Sequence, residues 1–355
     1  MNEKDLTILE QYDLQVHTFR RGRGSFLLET DQGLKLLTEF SGTEPRLRFQ
    51  NRICGQIGSR STVRVDRVLE TKEGKLIARD REERGYILKD WFEGRECSTR
   101  SEEEILLAVR LLAEIHKVMR IPEERAEELV SAAEEKPAED EERLDGPGKG
   151  AKIPDKERFC GTPLDQECAK KLREIKKVRT YMRGRKQKTA FELLFLKAFE
   201  TFSDQAGEVT ELLEAAEFTE LYAMSLEEGR VCHGDYNQHH VFLAGTNAAV
   251  MDFSRARYDI QIVDLYQFLR KIMEKQGWDA RLGMKMLDEY GKVRAISGPE
   301  MKNLWLRLKF PEKFWKLANH YYNSKKSRTP EKGMEKLQTL IAQEEKRQRF
   351  LRLLE

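Results

Sequence analysis

The sequence predicts an α+β protein of two lobes: a small lobe of mixed, mainly antiparallel sheet over residues 1–93 and a larger, mainly helical lobe over residues 94–355. Two features predict it. Before residue 100, short apolar runs alternate with glycine-bearing turns. From Glu102 onward, apolar residues recur every three or four positions, the spacing of one helix face. The 355 residues are enough for two cores. With 39% hydrophobic and 35% charged residues the composition is globular, not that of a disordered chain. No run approaches the ~20 apolar residues of a membrane span, and the N-terminus lacks the basic start and apolar stretch of a secretory leader.

The elements follow in order. Residues 14–19, 25–29 and 34–40 read as strands separated by the turns at Gly22–Gly24 and Asp31–Gly33, by ordinary hairpin chemistry. Leu47, Phe49, Ile53 and Ile57 then mark an inserted helix. Residues 63–69, 76–79 and 86–92 read as further strands, which completes a small α+β lobe. Leu106, Val109, Leu112, Ile115 and Val118 trace the first helix of the second lobe. Residues 121–158 are rich in glutamate, with Pro137 and Gly146, Pro147 and Gly148, and bury too little to offset ordering entropy. A mobile acidic insertion is expected there. Beyond it the chain is helical to the end, apart from a strand–loop–strand segment near 231–253.

That segment carries the chemistry. Two short apolar runs flank a polar loop, and each presents one aspartate at a loop edge, Asp235 and Asp252. Phosphoryl transfer needs a carboxylate beside the attacking hydroxyl, a carboxylate on magnesium and cations on the phosphates. The two aspartates suit the first two roles; ordinary turn residues are the bland alternative.

His233, Gly234 and Asp235, followed by an apolar strand and then Met251, Asp252 and Phe253, resemble the aminoglycoside phosphotransferase-like kinases. Within that superfamily the chain is similar to the CotS-like spore coat proteins of endospore-forming bacteria, through residues 173–179 with 191–195, 232–237, 258–266 and 311–323. The resemblance covers most of the chain. It implies a two-lobed protein-kinase-like fold, with ATP and magnesium or manganese as cofactors if the protein is active. Asp235 stands where the catalytic aspartate belongs, with His233 beside it, and Asp252 where a metal-binding aspartate belongs. Lys89 to Phe92 occupy the place of the hinge between lobes, making Lys89 and Trp91 the expected nucleotide contacts. Spore coat proteins are the implied partners, with an unidentified small-molecule or protein acceptor. Synthesis in the cytoplasm and residence at the forespore surface are implied with them.

Two positions depart from the family pattern. His240 holds the place of the asparagine that carries the second magnesium, although magnesium prefers oxygen donors. Thr38 holds the place of the phosphate-binding lysine in the third strand. Lys35 lies an odd number of residues away and faces the other side of a strand, unless a bulge intervenes. The departures support a second reading, a catalytically impaired pseudokinase acting as an assembly component of the coat.

Other features have plainer readings. A net charge of +2, from 64 basic and 62 acidic residues, gives no global pull toward nucleic acid or membrane. Ten Lys/Arg residues between Lys170 and Lys188 could bind phosphates. A solvated helix face, paired with acidic residues 134–143, is the preferred reading, and nucleic acid is not an expected partner. The five scattered cysteines are expected as free thiols. Zinc on Cys232, His233, His239 and His240 is a further alternative, opposed by neighbouring strand residues pointing apart.

Overall fold

A computed structural model describes residues 3–22, 24–121, 159–213, 217–245, 247–323 and 330–355. The chain packs as two compact units, Met1–Cys160 with Glu227–Gln261, and Gly161–Leu226 with Ile262–Glu355. The lobe boundary expected after residue 93 falls inside the first unit. From residue 122 on, the expected acidic insertion lies outside the described residues.

The first unit begins with a 3-10 helix, Glu3–Gln11, followed by β1 (Val16–Arg21), β2 (Ser25–Thr30), β3 (Gly33–Glu39) and helix α1 (Glu44–Arg60). After β4 (Arg64–Val65) come β5 (Ala78–Arg79) and β6 (Gly85–Asp90), and an antiparallel sheet runs β1-β2-β3-β6-β5. Burial alternates along β2, as a sheet with a core on one face requires. On that face Phe26, Leu28, Leu37, Tyr86 and Leu88 pack with Ile8 and Tyr12 from the N-terminal segment. This covering helix is not expected from the sequence, although Leu6 with Leu9 and Ile8 with Tyr12 stand at helical spacing, because the run is only nine residues long. On the other face Ile87 packs against Leu47, Val68 and Leu76.

Residues 63–69, expected as one strand, split between two sheets: Arg64 and Val65 pair in a second sheet, while Val68 makes an isolated antiparallel bridge to Lys89 of β6, with the Leu69 amide on the Leu88 carbonyl. The Val68 amide itself donates to the Asn51 side-chain oxygen of α1 at 2.9 Å, so this short stretch is held between β6 and α1. Arg64 and Val65 run parallel to β10 (Asn247–Val250), in a four-stranded sheet with β9 (Val241–Ala244) and β7 (Arg95–Glu96). A two-stranded ladder joins β8 (Val231–Cys232) to β11 (Arg257–Tyr258). Between β8 and β9 lies the polar loop. Helix α2 (Glu102–Val118) completes this unit, capped by the Ser101 hydroxyl on the Glu104 amide.

The second unit contains α3 (Leu164–Gly184), α4 (Ala190–Leu213), most of α5 (Glu217–Glu227), α6 (Ile262–Lys275), α7 (Ala280–Val293), α8 (Gly298–Lys309), α9 (Glu312–Asn323) and α10 (Pro330–Arg352). Its core stacks Phe195 on Phe314, ring centres 4.4 Å apart, beside Phe199, Phe202 and Phe310. The basic helix α3 is partly neutralised within the unit, since Lys171 pairs with Glu167 and Glu312, and Arg179 with Glu200. The acidic partner expected at 134–143 lies outside the described residues. No helix of the described residues is long and apolar enough to cross a membrane.

The Lys171–Glu312 pair, 2.6 Å apart and buried on both sides, gives a stability prediction. Lys171→Met takes from the buried Glu312 carboxylate the nearer of its two lysine partners, leaving Lys316 at 3.2 Å, which should cost about 2 kcal/mol. Denaturant unfolding monitored by far-UV circular dichroism measures it, and a loss below about 1 kcal/mol contradicts a structural role for the pair.

Candidate active site

The polar loop begins on backbone that only glycine tolerates. Gly234 has φ +84°, and a Cβ there would lie 2.0 Å from the Arg255 carbonyl oxygen. Glycine is obligatory at such a position. Tyr236, fully buried, donates its hydroxyl proton to the Ala108 carbonyl of α2 at 2.7 Å. His233 is also fully buried. Its Nδ1 accepts the Asp235 amide proton at 3.3 Å, so Nε2 carries the ring proton and donates to the Met251 carbonyl at 2.9 Å. With both nitrogens engaged this way, His233 ties the loop to the segment bearing Asp252.

Asp252 has left-handed backbone, φ 64° and ψ 63°, and caps a short 3-10 helix by accepting from the Ser254 amide. A non-glycine residue held there is a frequent mark of functional sites. Between the two aspartates lies a polar relay. Asn237 donates to the Asp235 carboxylate at 3.2 Å and sits 3.1 Å from His240 Nδ1. His240 Nδ1 is 2.8 Å from the Asp235 carbonyl oxygen, and Nε2 lies 3.4 Å from the Asp252 carboxylate. Burial pushes the Asp252 carboxyl up, but the Ser254 hydrogen bond and the charges of His240 and Lys89 outweigh it and hold the group below the usual carboxylate range.

Lys89 belongs to β6, one residue before the end of the strand. Its ammonium donates to Asp66 at 2.7 Å, and the other oxygen of Asp66 accepts the Asp252 amide proton at 3.1 Å. Asp66 is fully buried. Burial pulls Lys89 down, but Asp66 and then Asp252 raise it above an ordinary lysine, so it is charged at neutral pH. Trp91 lies 5.6 Å from the same ammonium and 5.9 Å from the Phe242 ring, and together with Phe92, Ala249 and Met251 forms a small apolar cluster.

Thr38 pairs with Ile87, and Leu36 with Lys89, in a register without shifts from Lys35 to Glu39. No bulge therefore brings Lys35 to the Thr38 face. Lys35 is buried on the opposite face and bound to Asp90 at 2.9 Å.

The chain matches the family model "Spore coat putative kinase YutH" over residues 165–354, more than half its length. The chain belongs to this spore coat family. It is also 27% identical to spore coat protein S of Bacillus subtilis strain 168 over 163 residues, 45% of this chain and 46% of that protein. The match thus spans about half the length of that curated relative. Among solved structures, an aminoglycoside phosphotransferase from Alicyclobacillus acidocaldarius superposes with a TM-score of 0.78 at 18% identity, covering 98% of this chain and 94% of that one. A spectinomycin phosphotransferase in complex with ADP and spectinomycin gives 0.56 at 11% identity, covering 97% and 99%. The kinase-like α+β fold expected from the sequence is therefore the fold of this spore coat protein.

A divalent ion fits the residues present in this family member. Asp252 offers a half-exposed carboxylate, and magnesium is commonly held by one or two carboxylates with water and phosphate oxygens. His240, 3.4 Å from the Asp252 carboxylate, offers imidazole rather than the oxygen donors that magnesium prefers. Zinc is not supported. No three His, Cys, Asp or Glu side chains gather as a metal cluster among the described residues, and Cys232 is turned to the Ile260 carbonyl while His239 pairs with Glu96.

Asp66 is not singled out by the sequence, and Asn237, too near Asp235 for the metal-ligand spacing, is assigned no role there. Asn237 carries its own signal, an asparagine two residues after Asp235, where its side chain caps the next turn by accepting from the His239 amide. Asp66 carries none, since it reads as one more charge in an apolar run.

Proposed function

We propose that this spore coat protein binds ATP with a divalent ion and transfers the γ-phosphoryl group to a hydroxyl acceptor. The observation that carries the reading is the relay from the Asp235 carboxylate through Asn237 and His240 to Asp252. It holds two carboxylates of different surroundings in one small region, as phosphoryl transfer needs. Asp235 takes the acceptor's proton as that oxygen attacks the γ-phosphorus and ADP leaves, and Asp252 holds the metal. The ion, when bound, neutralises charge on the phosphate oxygens. His233 acts as a brace. The strand β6 and the Trp91–Phe242 cluster form the adenine side, with small N-terminal and larger C-terminal functional lobes meeting near residue 93. The acceptor is a small molecule or a protein, and the site of action is the coat at the forespore surface, among other coat proteins.

Thr38 and His240 favour a second reading, in which the site binds nucleotide without transferring phosphate and the protein serves coat assembly. Titration of the full chain with ATP and either magnesium or manganese, read by thermal denaturation, tests the shared premise. Ligand at ~100 times its Kd should stabilise the fold by about 2.7 kcal/mol. Absence of any shift at millimolar nucleotide with both metals contradicts it. Release of ADP in excess of a heat-treated control then separates transferase from binder.

A further inference from the structure

We infer that Lys89, held by Asp66, is the phosphate-binding cation of this site, in place of the strand residue that Thr38 now occupies. The inference rests on the nucleotide reading above. A phosphate chain lying against a metal held by Asp252 requires a fixed positive charge close by. Thr38 supplies none, and Lys35 is on the wrong face, with Asp90 as its partner.

Lys89 is on the right face. Directly opposed residues of an antiparallel pair share a face, so Leu36 and Lys89 do, and Thr38 is two residues along from Leu36. Thr38 and Lys89 are thus diagonal cross-strand neighbours, about 7 Å apart at the backbone. A lysine side chain spans such a shift. The cation has moved one strand across the sheet without leaving the surface from which it acts.

Its partner has moved with it. Asp66 takes Lys89 on one oxygen and the Asp252 amide on the other, so one buried carboxylate orients both the cation and the backbone of the metal-binding residue. That bridge is more than charge neutralisation. It couples Lys89 to the position of Asp252 itself, and the field of Asp252 reaches Lys89. Asp66 is a positioning residue here; Lys89 is the group that meets phosphate oxygens. Because Lys89 keeps one proton donor on Asp66, its ammonium still has two for a ligand.

The test uses the full chain and isothermal titration with ATP and magnesium, and separately with adenosine. Lys89→Met alone strands a buried carboxylate, so the decisive variant is Lys89→Met with Asp66→Asn, which removes both charges. In the wild type ATP binds more tightly than adenosine. In the double variant ATP affinity should fall about tenfold or more while adenosine affinity changes less than about twofold, since only the phosphates lose a partner. If the wild type binds ATP and the double variant binds it equally well, the inference is overturned and the nucleotide reading stands. Equal losses for ATP and adenosine also overturn it, because the damage is then not to a phosphate site. A wild type that binds neither ligand removes the nucleotide reading itself.

Discussion

Asp252→Asn is expected to erase the metal-dependent part of ATP affinity. Asparagine tolerates left-handed backbone, and its side-chain oxygen can still accept from the Ser254 amide, so the turn that Asp252 caps should survive. What it lacks is the negative charge. In the wild type, adding magnesium to a metal-free titration should tighten ATP binding by about tenfold, or about 1.4 kcal/mol. In the variant the two titrations should coincide. The same substitution leaves His240 facing a neutral amide and Lys89 with one anionic neighbour instead of two. A variant that keeps the full metal-dependent gain contradicts the assignment of Asp252.

Gly234→Ala is expected to be the most damaging single-methyl change in the first unit. Two costs combine. The left-handed backbone costs an L-residue roughly 1–2 kcal/mol, and a Cβ placed 2.0 Å from the Arg255 carbonyl oxygen meets backbone that cannot rotate away. Overpacking of that kind adds about 1–3 kcal/mol. A total on the order of 3 kcal/mol should lower the melting temperature by about 4 °C in a chain of this length. Gly33→Ala is the control, since φ there is +87° but nothing lies within 4 Å of the added atom. It should cost only the backbone share. Equal melting of the two variants contradicts the account of the loop.

The sheet lobe was legible because strand burial alternates and the hairpin turns carry glycine at the left-handed positions, Gly24 and Gly33. The helices were legible from their apolar spacing, as in α2, where Val109, Leu112 and Ile115 are all buried. The aspartate pair could be found because both members lie in one short segment whose order is read directly along the chain. What failed to show was set by contacts between distant elements. Strand parity alone puts Lys35 on the face opposite Thr38, whereas the closeness of Lys89 to Thr38 follows from the register between β3 and β6, which no local pattern encodes. Lys89 is expected from the sequence as hinge backbone; in the fold its side chain is held on Asp66, which also accepts the Asp252 amide proton. Asp66 was not legible because it sits where residues 63–69 pass from one sheet to another, Arg64 and Val65 against β10 and Arg67 to Leu69 against β6, pairings between segments distant in sequence.

The most direct test is a crystal structure of the full chain soaked with a non-hydrolysable ATP analogue and magnesium or manganese. The account predicts density for the metal on Asp252, with a phosphate oxygen within hydrogen-bond distance of Lys89 Nζ and the base against Trp91. Nucleotide bound with its phosphates turned away from both Asp252 and Lys89 would contradict it.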